Sequence, residues 1–138
     1  MYSKTTNGVT VTVNPYFLDD QSSPNDNHYV WAYKVNIDNK GSDILRLHQR
    51  TWIIIDGNGR VLQVQGDGVV GETPIIKPGE TFEYTSGTPL KTTSGIMQGY
   101  YSMSADSGEK IKIDIPTFSL DSPYEKKENS LIYIKLNV

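Results

Sequence analysis

Six residues near the middle of the chain have the spacing of a phosphate-binding motif. The stretch GDGVVG, residues 66–71, matches G-x-G-x-x-G and follows a predicted strand. In dinucleotide-binding folds the third glycine opens a helix whose N–H groups hold a pyrophosphate. Here Pro74 and Pro78 follow, and such a helix does not tolerate them. The pattern therefore favours a bulged edge strand or sharp turn, with an anion held by loop N–H groups as the alternative. The candidate binding loop comprises Gly66, Asp67, Gly68 and Gly71.

The segment before this loop carries a second candidate site, an anion or partner face made of Arg46, His48, Arg50 and Trp52. These residues occupy alternate positions, so on a regular strand they share one face. If Asn58-Gly59 forms a two-residue type I′ turn, Asp67 lies opposite Arg50, or opposite His48 after a one-step slip. We expect an exposed ion pair whose loss in Arg50→Ala costs less than ~1 kcal/mol. A solvated or ion-paired strand face is the competing interpretation.

Metal and catalytic chemistry have little support in the sequence. The chain has no cysteine and only two histidines, and nothing places His28 or His48 near a serine. The acidic loop around Asp19, Asp20 and Asp26 does not match a calcium-binding loop, and its polar residues are typical of a solvated turn. A divalent-cation site formed by that loop with His28 is the weakest alternative. We predict no catalytic residue, no cofactor and no metal site.

The elements that position these residues are predicted to be strands, because apolar residues recur with a period of two. The predicted strands span residues 9–13, 29–37, 44–56, 60–65, 82–86, 96–103 and 110–115. Pro15 is expected to end the first strand, and residues 66–79 to form loop and edge. The parity of Leu45 and Leu47 does not fit Trp52 and Ile54, which predicts a bulge near residues 49–51. A short helix over residues 123–129 and a strand over 132–138 complete the prediction.

Length, composition and charge limit the fold and its partners. The chain has 138 residues, a mass of 15.4 kDa and a net charge of -3. This length predicts one domain over residues 1–138, and the strand pattern predicts an all-β antiparallel sandwich of immunoglobulin or fibronectin type III kind. The acidic balance argues against nucleic acid and anionic membranes as partners. No apolar run is long enough to span a membrane, and the first residues lack a secretory signal, so we expect a cytoplasmic protein.

Several blocks in series resemble the bacterial ApaG family. They are VWAYKV at 30–35, RTWIIID at 50–56, QGDGVVGETP at 65–74, PGETFEYTSG at 78–87, GIMQGYY at 95–101 and IPTFSL at 115–120. The resemblance runs from about residue 7 to 121 and leaves 122–138 as an extension. It departs from the family pattern at Thr51, where a histidine is common, and at Asp67, where a glutamate is usual. A role that rests on that imidazole is therefore not expected here.

The resemblance implies an immunoglobulin-like or fibronectin-like fold and no known enzymatic activity. Bacterial members are linked by gene neighbourhood to diadenosine tetraphosphate hydrolysis and by name to cobalt and magnesium handling. A similar domain in eukaryotic F-box proteins and in a polymerase-delta-interacting protein looks like an interaction module. We therefore predict a non-enzymatic module that binds another protein, with homodimerisation through a sheet edge as a possibility. The alternative is a small-anion binder, for phosphate, pyrophosphate or a nucleotide, that uses Arg46, Arg50 and residues 66–71.

Overall fold

The computed structural model describes residues 1–124, which form two antiparallel β-sheets packed face to face. The nine strands are β1 Tyr2–Thr6, β2 Val9–Phe17, β3 Tyr29–Asn39, β4 Leu45–Asp56, β5 Val61–Asp67, β6 Ile75–Ile76, β7 Thr81–Leu90, β8 Ser94–Ala105 and β9 Lys110–Asp121. Two single 3-10 turns, Asp19–Gln21 and Pro24–Asp26, connect β2 to β3. The predicted all-β antiparallel sandwich is confirmed.

One sheet has the strand order β1-β2-β3-β7, and the other has β5-β4-β8-β9 with β6 also paired to β4. Alternate residues of each strand point between the sheets, which is why Val9, Val11 and Val13 are all buried. Aromatic rings fill the middle of the core. Trp52 packs edge-on against Phe118, with 5.9 Å between ring centroids.

Strand β1 was not predicted, and β2 continues through Pro15 to Phe17. The pairing of β1 with β2 stops at Val13, opposite Tyr2, so Pro15 lies where β2 has a neighbour on one side only. A proline is tolerated at such an edge position because no partner needs its missing N–H group. The prediction that Pro15 ends the strand was therefore wrong.

The turn between β4 and β5 is not the predicted two-residue type I′ turn. That turn needs positive φ at both central residues, but only Gly59 of the Asn58-Gly59 pair has one, at 81°. The Asp56 carboxylate accepts hydrogen bonds from the N–H groups of Asn58 and Arg60, both at 2.9 Å, and this holds a three-residue loop. The extra loop residue shifts the register, so Asp67 pairs with Gln49 and not with Arg50 or His48.

Two bulges interrupt the second sheet. In β4 the register shifts between Leu47 and Gln49, which makes His48 the extra residue, one position before the predicted interval. In β9, Pro116 and Thr117 together face the single residue Gln98, so the bulge also accommodates the proline. This lets β9 continue to Asp121, well beyond the predicted end at residue 115.

The chain after β9 forms a turn at Pro123 and Tyr124. The remainder of the predicted helix 123–129 and the whole predicted strand 132–138 lie outside the described residues. Over residues 1–124, no helix has both the length and the apolar character needed to cross a membrane.

Candidate functional site

The 66–71 loop is a tight turn at the end of β5. Val70 and Gly71 have φ of 44° and 82°, and the flanking residues Val69 and Glu72 exchange backbone hydrogen bonds of 2.8 and 2.9 Å. Two consecutive positive φ values inside such a pair define a type I′ turn. The chain then runs back to β6, which pairs with β4. The prediction of a turn in an antiparallel ribbon is confirmed, and the helix required for dinucleotide binding does not follow Gly71.

Gly68 is a position where no other residue fits. Its φ is 62°, and a Cβ placed there would lie 2.1 Å from the carbonyl oxygen of Glu72. Its N–H group donates to the carbonyl of His48 at 2.7 Å, and this bond fastens the loop to the bulge of β4. The glycine of the motif at position 68 is therefore required for close backbone packing.

Arg50 holds the other side of the loop. Its Nη1 donates to the carbonyl oxygens of Asp67 and Gly68, both at 3.0 Å, and its guanidinium lies against Gly66. The loop thus turns carbonyl groups towards this arginine, whereas an anion would need the N–H groups. The predicted ion pair between Arg50 and the Asp67 carboxylate is absent, because that carboxylate accepts from Gln49 Nε2 at 3.3 Å.

The four residues of the predicted anion or partner face do not share a face. The extra residue at His48 reverses the alternation of β4. Arg46 and His48 therefore point out of the sandwich and are exposed, while Trp52 is buried and the half-buried Arg50 lies on its side of the sheet. The prediction of one shared cationic face was wrong for this reason.

Three tyrosines lie inside the sandwich near Arg50. Burial raises the pKa values of Tyr33, Tyr84 and Tyr101, and the positive charge of Arg50 opposes that rise. The hydroxyl groups of Tyr84 and Tyr101 hydrogen-bond to each other across the two sheets. This cluster is a polar part of the core, and burial extends the protonated range of its tyrosines to higher pH.

Thr51, which stands where a histidine is common in the family pattern, is buried. Thr51 is 1% exposed and pairs with Gln65 on one side and with Tyr100 on the other. Its hydroxyl group has no hydrogen-bond partner within residues 1–124. A small side chain fills this position without contributing a polar contact.

A recess of about 730 Å³ lies on the outer face of β4, β8 and β9. His48 lines it, and its Nε2 atom is 2.6 Å from Ser104 Oγ, a proximity that the sequence alone does not indicate. Lys110 and Lys112 line it from β9. The outward positions of these lysines follow from the alternation of β9, but their closeness to His48 could not be predicted without the strand order.

A second recess, of about 460 Å³, lies between the edge strands β5 and β7. Its apolar part is formed by Ile54, Val61, Leu62, Pro89 and Leu90, and the other lining residues are His28, Asp56, Arg60 and Lys91. Two apolar residues at its rim are strongly exposed, Val61 at 66% and Leu62 at 58%. The sequence places these residues in a strand but does not show that the strand is an edge.

The residues of the divalent-cation alternative do not converge. Asp26 accepts a hydrogen bond from Ser23 Oγ at 2.7 Å, and Asp19 accepts one from Tyr124 at 3.3 Å. No group of three histidine, aspartate or glutamate side chains within residues 1–124 is placed to hold a metal ion. In the same part of the chain, no carboxylate hydrogen-bonds to His48, so the His48–Ser104 pair lacks the third group of a catalytic triad.

Comparisons with known proteins agree with the fold. A family model described as the ApaG domain matches residues 19–105. Protein ApaG of Paramagnetospirillum magneticum is 60% identical over 126 residues, which cover 91% of this chain and 97% of that protein. Protein ApaG of Parvibaculum lavamentivorans is 54% identical, with 92% and 98% coverage. The crystal structure of the putative ApaA protein from Bordetella pertussis superposes with a TM-score of 0.81 at 46% identity, over 83% of this chain and 94% of that one.

Proposed function

The chain belongs to the ApaG domain family, and from this membership we propose that it is a non-enzymatic module that binds an extended segment of another protein. The observation that carries the proposal is the free edge of β5. This strand pairs with β4 on one side, and no described strand pairs with it on the other. A partner strand that adds to such an edge gains main-chain hydrogen bonds along its length.

The edge of β5 lacks the usual protection against strand pairing. Natural edge strands commonly carry lysine, proline or a bulge that blocks a neighbour. The sequence of β5 has no proline and no charged residue before Asp67, its last residue. By contrast, the edge strand β7 carries Glu83 and Pro89, and the edge strands β1 and β9 are tied to each other by the Lys4–Asp114 ion pair at 3.2 Å.

The hydrogen-bonding pattern identifies the groups that a partner would meet. The Asp56 N–H group donates to the Arg60 carbonyl, and the Gly68 N–H group donates to the His48 carbonyl. The even-numbered residues of β5 therefore direct their backbone N–H and C=O groups towards β4. Gln63 and Gln65 consequently direct their N–H and C=O groups away from the sheet. A segment paired here would place alternate side chains over the apolar recess beside Leu62.

The tip of the 66–71 loop extends this surface. Val70 is 53% exposed and has positive φ, a conformation that is costly for a β-branched residue. An exposed apolar residue kept at a strained position is expected to serve a contact. The charges at the recess indicate the partner: Arg60 and Lys91 have no ion-pair partner among residues 1–124, so we propose a segment with apolar residues at alternate positions and an acidic residue at one end.

Selection from a random linear peptide library tests this proposal. Recovered peptides should have alternating apolar residues with a flanking acid, and should shift the amide NMR signals of Gln63 and Gln65. Gln63→Pro, which removes an outward N–H group, and Leu62→Asp should both abolish binding. Ile75→Asp, which changes an exposed apolar residue on β6, should leave it intact. No enrichment, or shifts confined to other strands, would contradict the proposal.

Sedimentation equilibrium without peptide examines the second copy of this chain as an alternative occupant. If the chain forms a dimer only when β5 is intact, the occupant of this edge is a second copy of the chain and not another protein. We expect a monomer, because a partner of opposite charge fits Arg60 and Lys91 better than an identical edge does.

A further inference from the structure

Six polar side chains from three strands meet on the outer face of the second sheet. Arg46 pairs with Ser104, and Ser104 pairs with Lys110. In the next row, Ser102 pairs with Lys112. Directly opposed residues on one sheet face lie close enough for their side chains to interact. The basic patch is defined here as Arg46, His48, Ser102, Ser104, Lys110 and Lys112.

The positive charge of the patch is not neutralised by the strands that form it. Arg46, Lys110 and Lys112 take part in no ion pair within residues 1–124. The neighbouring carboxylate, Asp114, is paired with Lys4 at 3.2 Å. Asp106, in the connecting turn, lines a smaller recess of about 150 Å³ together with Arg46 and Ser104, but its carboxylate forms no ion pair within residues 1–124. A concentrated positive face in a chain of net charge -3 predicts local attraction of anions.

Hydroxyl groups lie between these cations. Ser102 and Ser104 are half-buried on the central strand, with basic residues on the strands at either side. His48 Nε2 lies 2.6 Å from Ser104 Oγ and orients that hydroxyl group. Lys112 Nζ lies 4.2 Å from the centre of the Tyr100 ring, a cation–π contact that keeps the ammonium group over the sheet.

We propose that the basic patch binds the phosphoryl group of a small phosphorylated molecule. A phosphoryl group carries up to two charges and three acceptor oxygens, which suits the Ser104 hydroxyl between Arg46 and Lys110, with Lys112 in the next row. A single carboxylate has fewer acceptors and one charge. The adjoining recess, about 730 Å³, has the size of a small-ligand site, roughly 300–1,000 Å³. This site goes beyond the proposed interaction at β5, because it shares no residue with that edge.

Amide NMR titration with inorganic pyrophosphate tests the proposal, with sodium sulfate at equal ionic strength as the comparison anion. We expect saturable shifts at Ser102, Ser104, Lys110 and Lys112, and weaker binding by sulfate. The double variant Lys110→Met/Lys112→Met should bind pyrophosphate about tenfold more weakly, since each exposed charge contributes modestly. The matched control Lys40→Met/Lys77→Met removes the same charge outside both recesses and should change affinity by less than about twofold.

Three outcomes would overturn the proposal. They are the absence of saturable shifts, equal weakening by the two double variants, and shifts confined to residues 66–71. Peptide binding at β5 should be unchanged in Lys110→Met/Lys112→Met, so failure of the phosphoryl site and failure of the interaction function are separable. A second substitution, Ser104→Ala, keeps the test valid if the lysine variant does not fold, and it should weaken pyrophosphate binding without loss of structure.

Discussion

The guanidinium of Arg50 occupies the space that a side chain at position 66 would need. A Cβ on Gly66 would lie 2.8 Å from both terminal nitrogens of Arg50. The same guanidinium donates to two loop carbonyls. Arg50 can make these hydrogen bonds because Gly66 has no side chain. These contacts fix the direction in which the loop leaves β5.

This relationship predicts a strong coupling between the two positions. Gly66→Ala should lower the free energy of unfolding by about 2 kcal/mol, because it displaces the guanidinium from its acceptors. Arg50→Ala should also cost about 2 kcal/mol, more than an exposed ion pair would. In a double-mutant cycle measured by urea denaturation, the coupling should exceed about 1 kcal/mol. Additive losses would mean that the contact does not organise the loop.

The two glycines of the turn should respond differently to alanine. Gly68→Ala meets both a strained φ and the Glu72 carbonyl, so we expect a loss of at least about 3 kcal/mol in unfolding free energy. Gly71→Ala meets only the φ penalty, about 1–2 kcal/mol, since no atom lies within 4 Å of the added Cβ. Equal losses in urea denaturation would contradict a contribution from the Glu72 carbonyl at Gly68.

Replacement of Val70 should stabilise the protein. Asparagine accepts positive φ more readily than valine, so Val70→Asn should raise the unfolding free energy by about 0.5–1 kcal/mol. The matched control is Val61→Asn, also exposed but in a strand, which should not stabilise. The same Val70→Asn protein should bind the selected peptides more weakly. A stabilised protein with undiminished binding would remove Val70 from the interaction surface.

The buried tyrosines predict a loss of stability at alkaline pH. Burial raises the pKa values of Tyr84 and Tyr101 above the ordinary 10.0, so the folded state holds these protons more tightly than the unfolded state does. Their contribution is complete below pH 10 and is lost as the pH rises towards the folded pKa values. In that range, each tyrosine lowers the free energy of unfolding by up to about 1.4 kcal/mol for every unit that the pH rises.

Tyr101→Phe should flatten this alkaline decline, as measured by urea denaturation across the same pH range. Tyr16→Phe, which removes an exposed hydroxyl group, controls for the substitution itself. An equally steep decline in Tyr101→Phe would show that other groups cause it.

The same dipeptide at two positions shows the limit of local sequence interpretation. Asn7-Gly8, with φ of 49° and 81°, forms the turn between β1 and β2 that Asn58-Gly59 was predicted to form. At the second site the Asp56 carboxylate accepts two loop N–H groups and favours a three-residue loop. The fold class and the strand centres follow from alternation, but the register depends on this one side-chain contact.

The sequence predicted only part of the candidate site, because the rest depends on strand register and strand order. The turn formed by the 66–71 loop followed from its glycines and the prolines after it. The division of Arg46 and His48 from Arg50 and Trp52 depends on a one-residue bulge, and a period-two pattern does not locate it to the residue. The approach of Lys110 to His48 depends on strand order, which a single sequence does not contain.

Amide hydrogen exchange along β5 with a selected peptide bound is the most direct measurement of the proposed function. If a partner strand pairs with this edge, the outward amides of Gln63 and Gln65 should exchange more slowly in the complex. Those of Leu62 and Val64, which already face β4, should change little. Slowed exchange on another strand, with Gln63 and Gln65 unaffected, would contradict the assignment of β5 as the binding edge.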